Sequence, residues 1–421
     1  MKNIIKIFIS IAIIMLLLAA QSNAQWIQTN SPMHVNILSF TANNNNLYVG
    51  TDGNGIYCSN DNGTSWTAIN SGLTNYYVPA LAICGNKIIA GTIGGVFLSN
   101  IADTNWIAVN SDLTHFNVMS LAVNDSNIYA GTATYINPYP LFYGGRVYFS
   151  TNYGSNWSDI TSDLPSPSSL VNIGIYALAV KDTDVFVGTG AGVFRSTNNG
   201  TSWTSLNSGL TNSWVNALAF NGSDLIAGTR DGVFLSTNSG LSWTAIDSGL
   251  SCTYVQALAV NDDKFFVGTL FGVFLSTNNG TNWIGVNSGL SETNILSLMV
   301  SATNVYVGTF SEGVWKRSLS EIVTSVSLAS YLVPKDFDLH QNYPNPFNST
   351  TIISFTLPIK SLVSLKVFDI MGREIATLVS RELSAGSYSK QWNAEYLSSG
   401  VYFYRLQAGG SIATKKLLLL K

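Results

Sequence analysis

Tryptophan recurs along this chain at a spacing that marks a repeat protein. Trp26, Trp66, Trp106, Trp157, Trp203, Trp243 and Trp283 stand 40, 40, 51, 46, 40 and 40 residues apart. A second marker keeps step with it, the triplet Val/Ala-Gly-Thr. Its copies end at Thr51, Thr92, Thr132, Thr189, Thr229, Thr269 and Thr309. Seven of each define seven units, and a period near 40 residues points to a propeller, solenoid or array before any finer reading.

One unit shows the local structure. Trp203 to Leu210 is followed by an apolar run from Val215 to Phe220. Asp224 to Ala227 then leads into Gly228-Thr229, and Gly232 to Ser236 leads to the next tryptophan. Each piece is short and bounded by Gly, Asn, Asp or Ser, which predicts four strands joined by tight turns. Four-stranded units of this length stack radially into a β-propeller. The seventh unit stops at Gly313-Val314-Trp315, before its last strand, and the segment Trp26 to Ser31 supplies that piece. The expectation is a ring closed by its own N-terminal strand, with no open edge left to template aggregation.

Composition agrees. Apolar residues make up 46% and charged residues 10% of the 421. That is enough apolar material for a large core in a chain of low charge. The net charge is −3 with no basic block in the body of the chain, so nucleic acid is excluded as an expected partner. Cys58, Cys84 and Cys252 are odd in number and widely spaced; they read as buried free thiols, with a single bridge as the alternative. His34, His115 and His340 stand alone, and no metal site or cofactor is expected.

The turn before each tryptophan reads Ser59-Asn60-Asp61-Asn62-Gly63-Thr64-Ser65-Trp66 in the first unit. It recurs with Asn198, Gly200 and Trp203, with Asn238, Gly240 and Trp243, and with Asn278, Gly280 and Trp283; Ser150 to Trp157 also fits, and Ser99 to Trp106 is degenerate. These stretches resemble the Asp-box of sialidases, sortilin-type receptors, propeller glycosidases and photosystem assembly factors. Locally, the Asp or Asn caps backbone N–H groups, Gly takes a positive φ, and the ring is expected to pack across its hairpin. These residues are structural candidates.

Two addresses flank the repeats. Lys2 and Lys6, an apolar run from Ile7 to Ala20, and Gln21-Ser22-Asn23-Ala24 have the layout of a secretory signal peptide. No other segment of the chain has the length of a membrane span. Beyond residue 317 a Ser-rich linker, 318–334, precedes about six short strand-like segments, the pattern of a small Ig-like β-sandwich. The pieces Tyr343-Pro344-Asn345-Pro346-Phe347-Asn348, Val367-Phe368-Asp369 with Gly372, Gly386 with Tyr388 and Trp392, Gly400 to Tyr404, and Lys415 to Lys421 resemble the type A sorting domain of type IX secretion. The resemblance implies a Bacteroidetes-like source, a secretion translocon as partner, and a product released or held on the outer-membrane surface. The expected organisation is thus signal peptide 1–24, seven-bladed propeller 25–317, linker 318–334 and sorting domain 335–421, an all-β molecule.

For function, the segments that cross between units carry aromatics just before the inner strands: Tyr76 and Tyr77, Phe116, Trp214 and Tyr254. They are the candidate ligand-binding residues, on the face that the resemblance implies to be opposite the Asp-boxes, and a third-unit insertion adds Tyr139 and Phe142. Aromatics among Asn and Ser suit stacking on sugars or anchoring a protein. A sialidase is disfavoured. The propeller has Arg146, Arg195, Arg230 and Arg317, three of them in or beside the third strand of a unit rather than in one loop cluster. Its only glutamates are Glu292 and Glu312. A glycosidase needs two carboxyl groups flanking the bond, and Asp52 and Asp231 in the Gly-Thr loops are the available pair. No catalytic residue is assigned. A non-enzymatic glycan- or protein-binding module is the leading expectation, and a propeller glycosidase is the alternative.

Overall fold

The computed structural model describes residues 25–31, 34–43, 46–103, 105–133, 135–136, 141–142, 144–162, 164, 174–324, 336–383 and 386–421. The signal-peptide reading at 1–24 lies outside them. The chain divides into two compact units, Met1–Val323 and Thr324–Lys421.

Among the described residues the first unit holds seven four-stranded antiparallel sheets, the blades. Their inner strands are, in order, Ile37–Asn43, Ala80–Cys84, Val118–Asn124, Ile175–Lys181, Val215–Asn221, Val255–Asn261 and Ile295–Val300. Each inner strand packs against the next, and the seventh packs against the first, so the blades form a closed ring. Closure is covalently economical. In blade 7, Val314–Ser318 pairs with Ile27–Gln28, in register Ile27 to Lys316 and Gln28 to Trp315. The insertion in blade 3 forms a small hairpin, Tyr135–Ile136 with Leu141–Phe142. Its side chains, including those of Tyr139 and Phe142, lie outside the described residues.

The repeated markers turn out to be the joints between blades. Each Gly of the Gly-Thr pair faces the inner strand of the next blade. A Cβ on Gly91, Gly131, Gly188, Gly228, Gly268 or Gly308 would sit 2.5–2.7 Å from Val118, Ile175, Val215, Val255, Ile295 or Ile37. Only a residue without a side chain lets these buried branched residues approach the neighbouring sheet. The Thr beside it folds its hydroxyl into the turn: Thr229 Oγ1 donates to the Gly232 carbonyl at 3.0 Å and accepts the Asp231 N–H at 3.0 Å. All seven threonines are buried, and each hydroxyl hydrogen-bonds in this way, as a buried polar group requires.

The tryptophans join blades in the other direction, which corrects the expectation that each ring only braces its own hairpin. The indole N–H of Trp106, Trp157, Trp203, Trp243 and Trp283 donates to a carbonyl of the preceding blade, at Ile69, Val109, Ile160, Leu206 and Ile246. Trp26 donates to Val286 of blade 6, and Trp66 to the Thr29 hydroxyl of the closing strand. Backbone N–H groups repeat the contact, from Trp106 to Ser71, Trp243 to Ser208, Trp283 to Ser248 and Trp26 to Ser288. The spacing of the tryptophans recorded their regularity but not which blade each one touches.

The turn before the tryptophan has a fixed network. Ser59 Oγ accepts the Gly63 N–H at 2.8 Å and donates to Asp61 Oδ1 at 2.8 Å; that oxygen also accepts the Ser65 N–H at 2.8 Å. The same bonds recur around Asn152, Asn198, Asn238 and Asn278. In the degenerate turn of blade 2, Asn100 bonds Asp103 instead, and the Trp106 stitch survives.

The cysteines are free thiols, with Cys84 and Cys252 buried and Cys58 half-buried. The stretch expected as a linker starts with a short helix, 319–324, because Ile322 finds a fully buried position against which that turn can form.

The second unit is a two-sheet sandwich. One sheet orders Asp338–Leu339, Thr350–Leu357 and Gly386–Asn393. The other orders Glu374–Leu383, Ser361–Phe368, Gly400–Ala408 and Ser411–Leu419. Alternating residues point inward from both sheets, as in Val363, Leu365 and Val367 against Ile353, Phe355 and Leu357, and form one core with Trp392 and Tyr404.

Candidate functional site

Two kinds of turn share one face of the propeller. The loop after each Gly-Thr pairs with the segment crossing into the next blade, as where Gly53 and Gly55 N–H bond the Tyr76 carbonyl, Gly95 bonds Phe116 and Gly232 bonds Thr253; Arg230 N–H instead bonds the Trp214 carbonyl at the entry to its own blade. The Ser-x-Asn/Asp-x-Gly turns lie at the other ends of the same strands, on the opposite face.

The five sequence-derived candidates all lie on this face but do not form one cluster. Tyr76 and Phe116 are exposed. Tyr77 is half-buried beside Asp52, and burial, then the Asp52 carboxylate, pushes its phenol upward. Trp214 and Tyr254 belong to another sector, and there the structure adds two partners. The Trp214 ring stacks on Tyr176, centroids 5.3 Å apart at 22°. The Arg230 guanidinium lies over the same indole at 3.4 Å and reaches the Tyr254 ring at 5.6 Å. The Trp214 N–H is held by Asn212 Oδ1 at 2.9 Å, which fixes the segment that carries the ring.

The loops just past Gly-Thr, where sequence reasoning considered only the carboxylates Asp52 and Asp231, carry further candidate residues. Besides Arg230 they include Ile93, Phe271 and Phe310, all exposed; Phe271 is 65% exposed. A signal for them exists. Within a near-invariant repeat the residue after Thr runs through Asp52, Ile93, Ala133, Gly190, Arg230, Leu270 and Phe310, and the one after that, which includes Phe271, varies as much, as expected of positions that face a ligand rather than the fold.

The carboxylates are less suggestive of chemistry. Asp52 accepts from Asn36 Nδ2 at 3.0 Å. It stands on blade 1, whereas Asp231 stands on blade 5. Glu292 accepts the Asn294 N–H at 2.8 Å and so caps its own turn, and Glu312 accepts the Ser291 hydroxyl at 2.5 Å across to the crossing segment. Among the described residues no group of three His, Cys, Asp or Glu lies together as a metal site.

The second unit has its own focus, around the motif Asn342 to Asn348. Buried Asn342 donates to the Pro344 carbonyl at 3.1 Å and to Thr351 Oγ1 at 2.9 Å. Its N–H is accepted by the Tyr404 hydroxyl, which donates in turn to the His340 carbonyl. Burial pushes that phenol up to about 12. Asn345 Oδ1 accepts the Leu418 N–H, and the Phe347 N–H and carbonyl bond Leu418 and Leu420. The motif thus clamps the final strand. Residues 341–420 match the family described as the secretion system C-terminal sorting domain. The tail is a type IX sorting domain. As bearer of the sorting domain, the chain is cargo of that secretion route, which places the protein outside the cell or on its surface. Among the described residues no helix is long and apolar enough to cross a membrane.

No curated protein matches the chain. Solved structures similar to it are propellers. The extracellular domain of BT4673 from B. thetaiotaomicron is 15% identical with a TM-score of 0.58, covering 78% of this chain and 44% of that one. An ancestral GH74 enzyme is 18% identical with a TM-score of 0.56, covering 94% and 63%. YCF48 bound to D1 peptide is 14% identical with a TM-score of 0.53, covering 70% and 94%. This chain therefore spans less than two thirds of the BT4673 and GH74 chains. At these identities the likeness concerns the fold, which hosts both enzymes and binding proteins.

Proposed function

We propose that the propeller is a non-catalytic binding module, delivered outside the cell by its sorting domain, that takes a glycan or a protein on the face of the Gly-Thr loops. The reading rests on the Tyr176–Trp214–Arg230–Tyr254 stack. Tyr, Trp and Arg are the residue types that dominate binding hot spots. Here they come from three successive blades and are locked together before any ligand arrives, which lowers the ordering cost of binding. The propeller glutamates, by contrast, are engaged with neighbouring loop groups, Glu292 with the Asn294 N–H and Glu312 with the Ser291 hydroxyl. Among structural neighbours, the YCF48 structure holds a peptide, which gives the reading a precedent in this fold.

A glycan-array screen of the purified full chain tests it, with reducing-end release assayed on each hit. Binding without release is the expected result. Release of reducing ends would replace the module by a propeller glycosidase and make Asp52→Asn and Asp231→Asn the next variants.

A further inference from the structure

Four arginines lie in the propeller, and three are spoken for. Arg146 pairs with Asp159 at 2.7 Å, and Arg195 with Asp184 at 2.5 Å. Arg317 is buried and donates to the Val286 carbonyl at 3.1 Å. Arg230 differs. It is exposed, and among the described residues it has no carboxylate partner, although Asp231 follows it. What holds it is a pair of rings, Trp214 at 3.4 Å and Tyr254 at 5.6 Å.

The order around the ring of blades decides what each group can offer. Tyr176 is on blade 4, Trp214 enters blade 5, Arg230 is on the blade 5 loop, and Tyr254 enters blade 6. Tyr176 and Arg230 both pack against the indole. The indole is thus already engaged by two neighbours. It serves as a support, and the group presented to a ligand is the guanidinium. A guanidinium held by its faces keeps its N–H edges free, and that planar fork matches a carboxylate in a bidentate pair.

Resting on the binding-module reading, we infer that Arg230 is a carboxylate receptor and that the ligand of this face is a carboxylated polysaccharide. The surrounding side chains favour carbohydrate over an acidic protein segment. Thr211, Asn212, Ser213, Ser251 and Thr253 flank the stack on the two crossing segments, all small, neutral and hydroxyl- or amide-bearing. Exposed Phe271 on the blade 6 loop adds a free ring face to the same side of the propeller. Trp214 is then a positioning residue that acts through Arg230.

The test uses polygalacturonate and its methyl ester, which differ only in the carboxylate, titrated against the full chain. The acid form is expected to bind about tenfold or more tighter, the range of a charge-assisted pair. Arg230→Ala should remove that preference, so that the acid form binds no tighter than the ester, with Arg230→Lys retaining part of it. Trp214→Ala should weaken acid-form binding, and Trp214→Phe, which keeps a flat ring under the guanidinium, should restore it at an unchanged melting temperature. Equal binding of acid and ester by the parent protein would overturn the inference while leaving the module intact. Failure to bind either, or stronger Arg230-dependent binding of polyglutamate, would overturn the carbohydrate class. Failure of the module reading itself shows separately, as reducing-end release on the array.

Discussion

Asp61 does with a charge what Asn152, Asn198, Asn238 and Asn278 do without one. Its carboxylate accepts from the Ser65 hydroxyl and N–H, the Ser59 hydroxyl and the Thr64 N–H. Bonds from Ser65 come first among the causes that hold its pKa well below the ordinary 3.8. The folded state therefore binds this proton less readily than the unfolded state. The stabilisation is complete above pH 3.8 and fades as the pH falls toward the depressed folded value. Asp61→Asn should keep the turn, since Asn serves in four other blades, and should change the melting temperature little at pH 7. It should also shrink the drop in melting temperature between pH 5 and pH 2. Parallel curves for the two proteins would show that the charge does not matter.

The blade is the unit in which glycine and tryptophan acquire their meaning. Gly188→Ala would press a methyl group against Val215 at 2.7 Å and should cost about 1–3 kcal/mol in thermal or urea unfolding, the range for overpacking a filled core. Gly410→Ala, in open space within the sorting domain, is the matched control and should be nearly neutral. Equal effects would mean that the Gly188 contact relaxes freely. Much of this architecture was legible in advance, because tryptophan spacing and the Gly-Thr pair count blades and place the missing strand at Trp26 to Ser31. The partner of each marker was not legible, because a repeat reads the same whether Trp203 touches its own hairpin or Ile160 of the blade before. The site divides similarly. Trp214 and Tyr254 stood out as aromatics before an inner strand. Arg230 did not, since a loop arginine reads as a solvated charge until the Trp214 and Tyr254 rings are seen against it. The same topology shows why Tyr76 and Phe116 do not join that group, for their crossing segments serve blades 2 and 3.

The whole ring depends on one short pairing, Ile27–Gln28 with Val314–Ser318, fastened by Trp26 to Ser288 and Val286 and by Thr29 to Val314. Deleting residues 25–31 removes that pairing and bares the Val314–Ser318 edge. The shortened chain should melt at lower temperature, less cooperatively, and should self-associate on size-exclusion chromatography, as open sheet edges do. A monomer with an unchanged melting temperature would show that blade 7 is complete without its fourth strand. The same pairing also sets a clock. Blades 1 to 6 draw on strands close in sequence, whereas the latch cannot close before residue 318 has arrived, more than 280 residues after its partner. During export, then, the segment around Trp26 must be held in reserve, already outside and still unpaired, until the last blade reaches it.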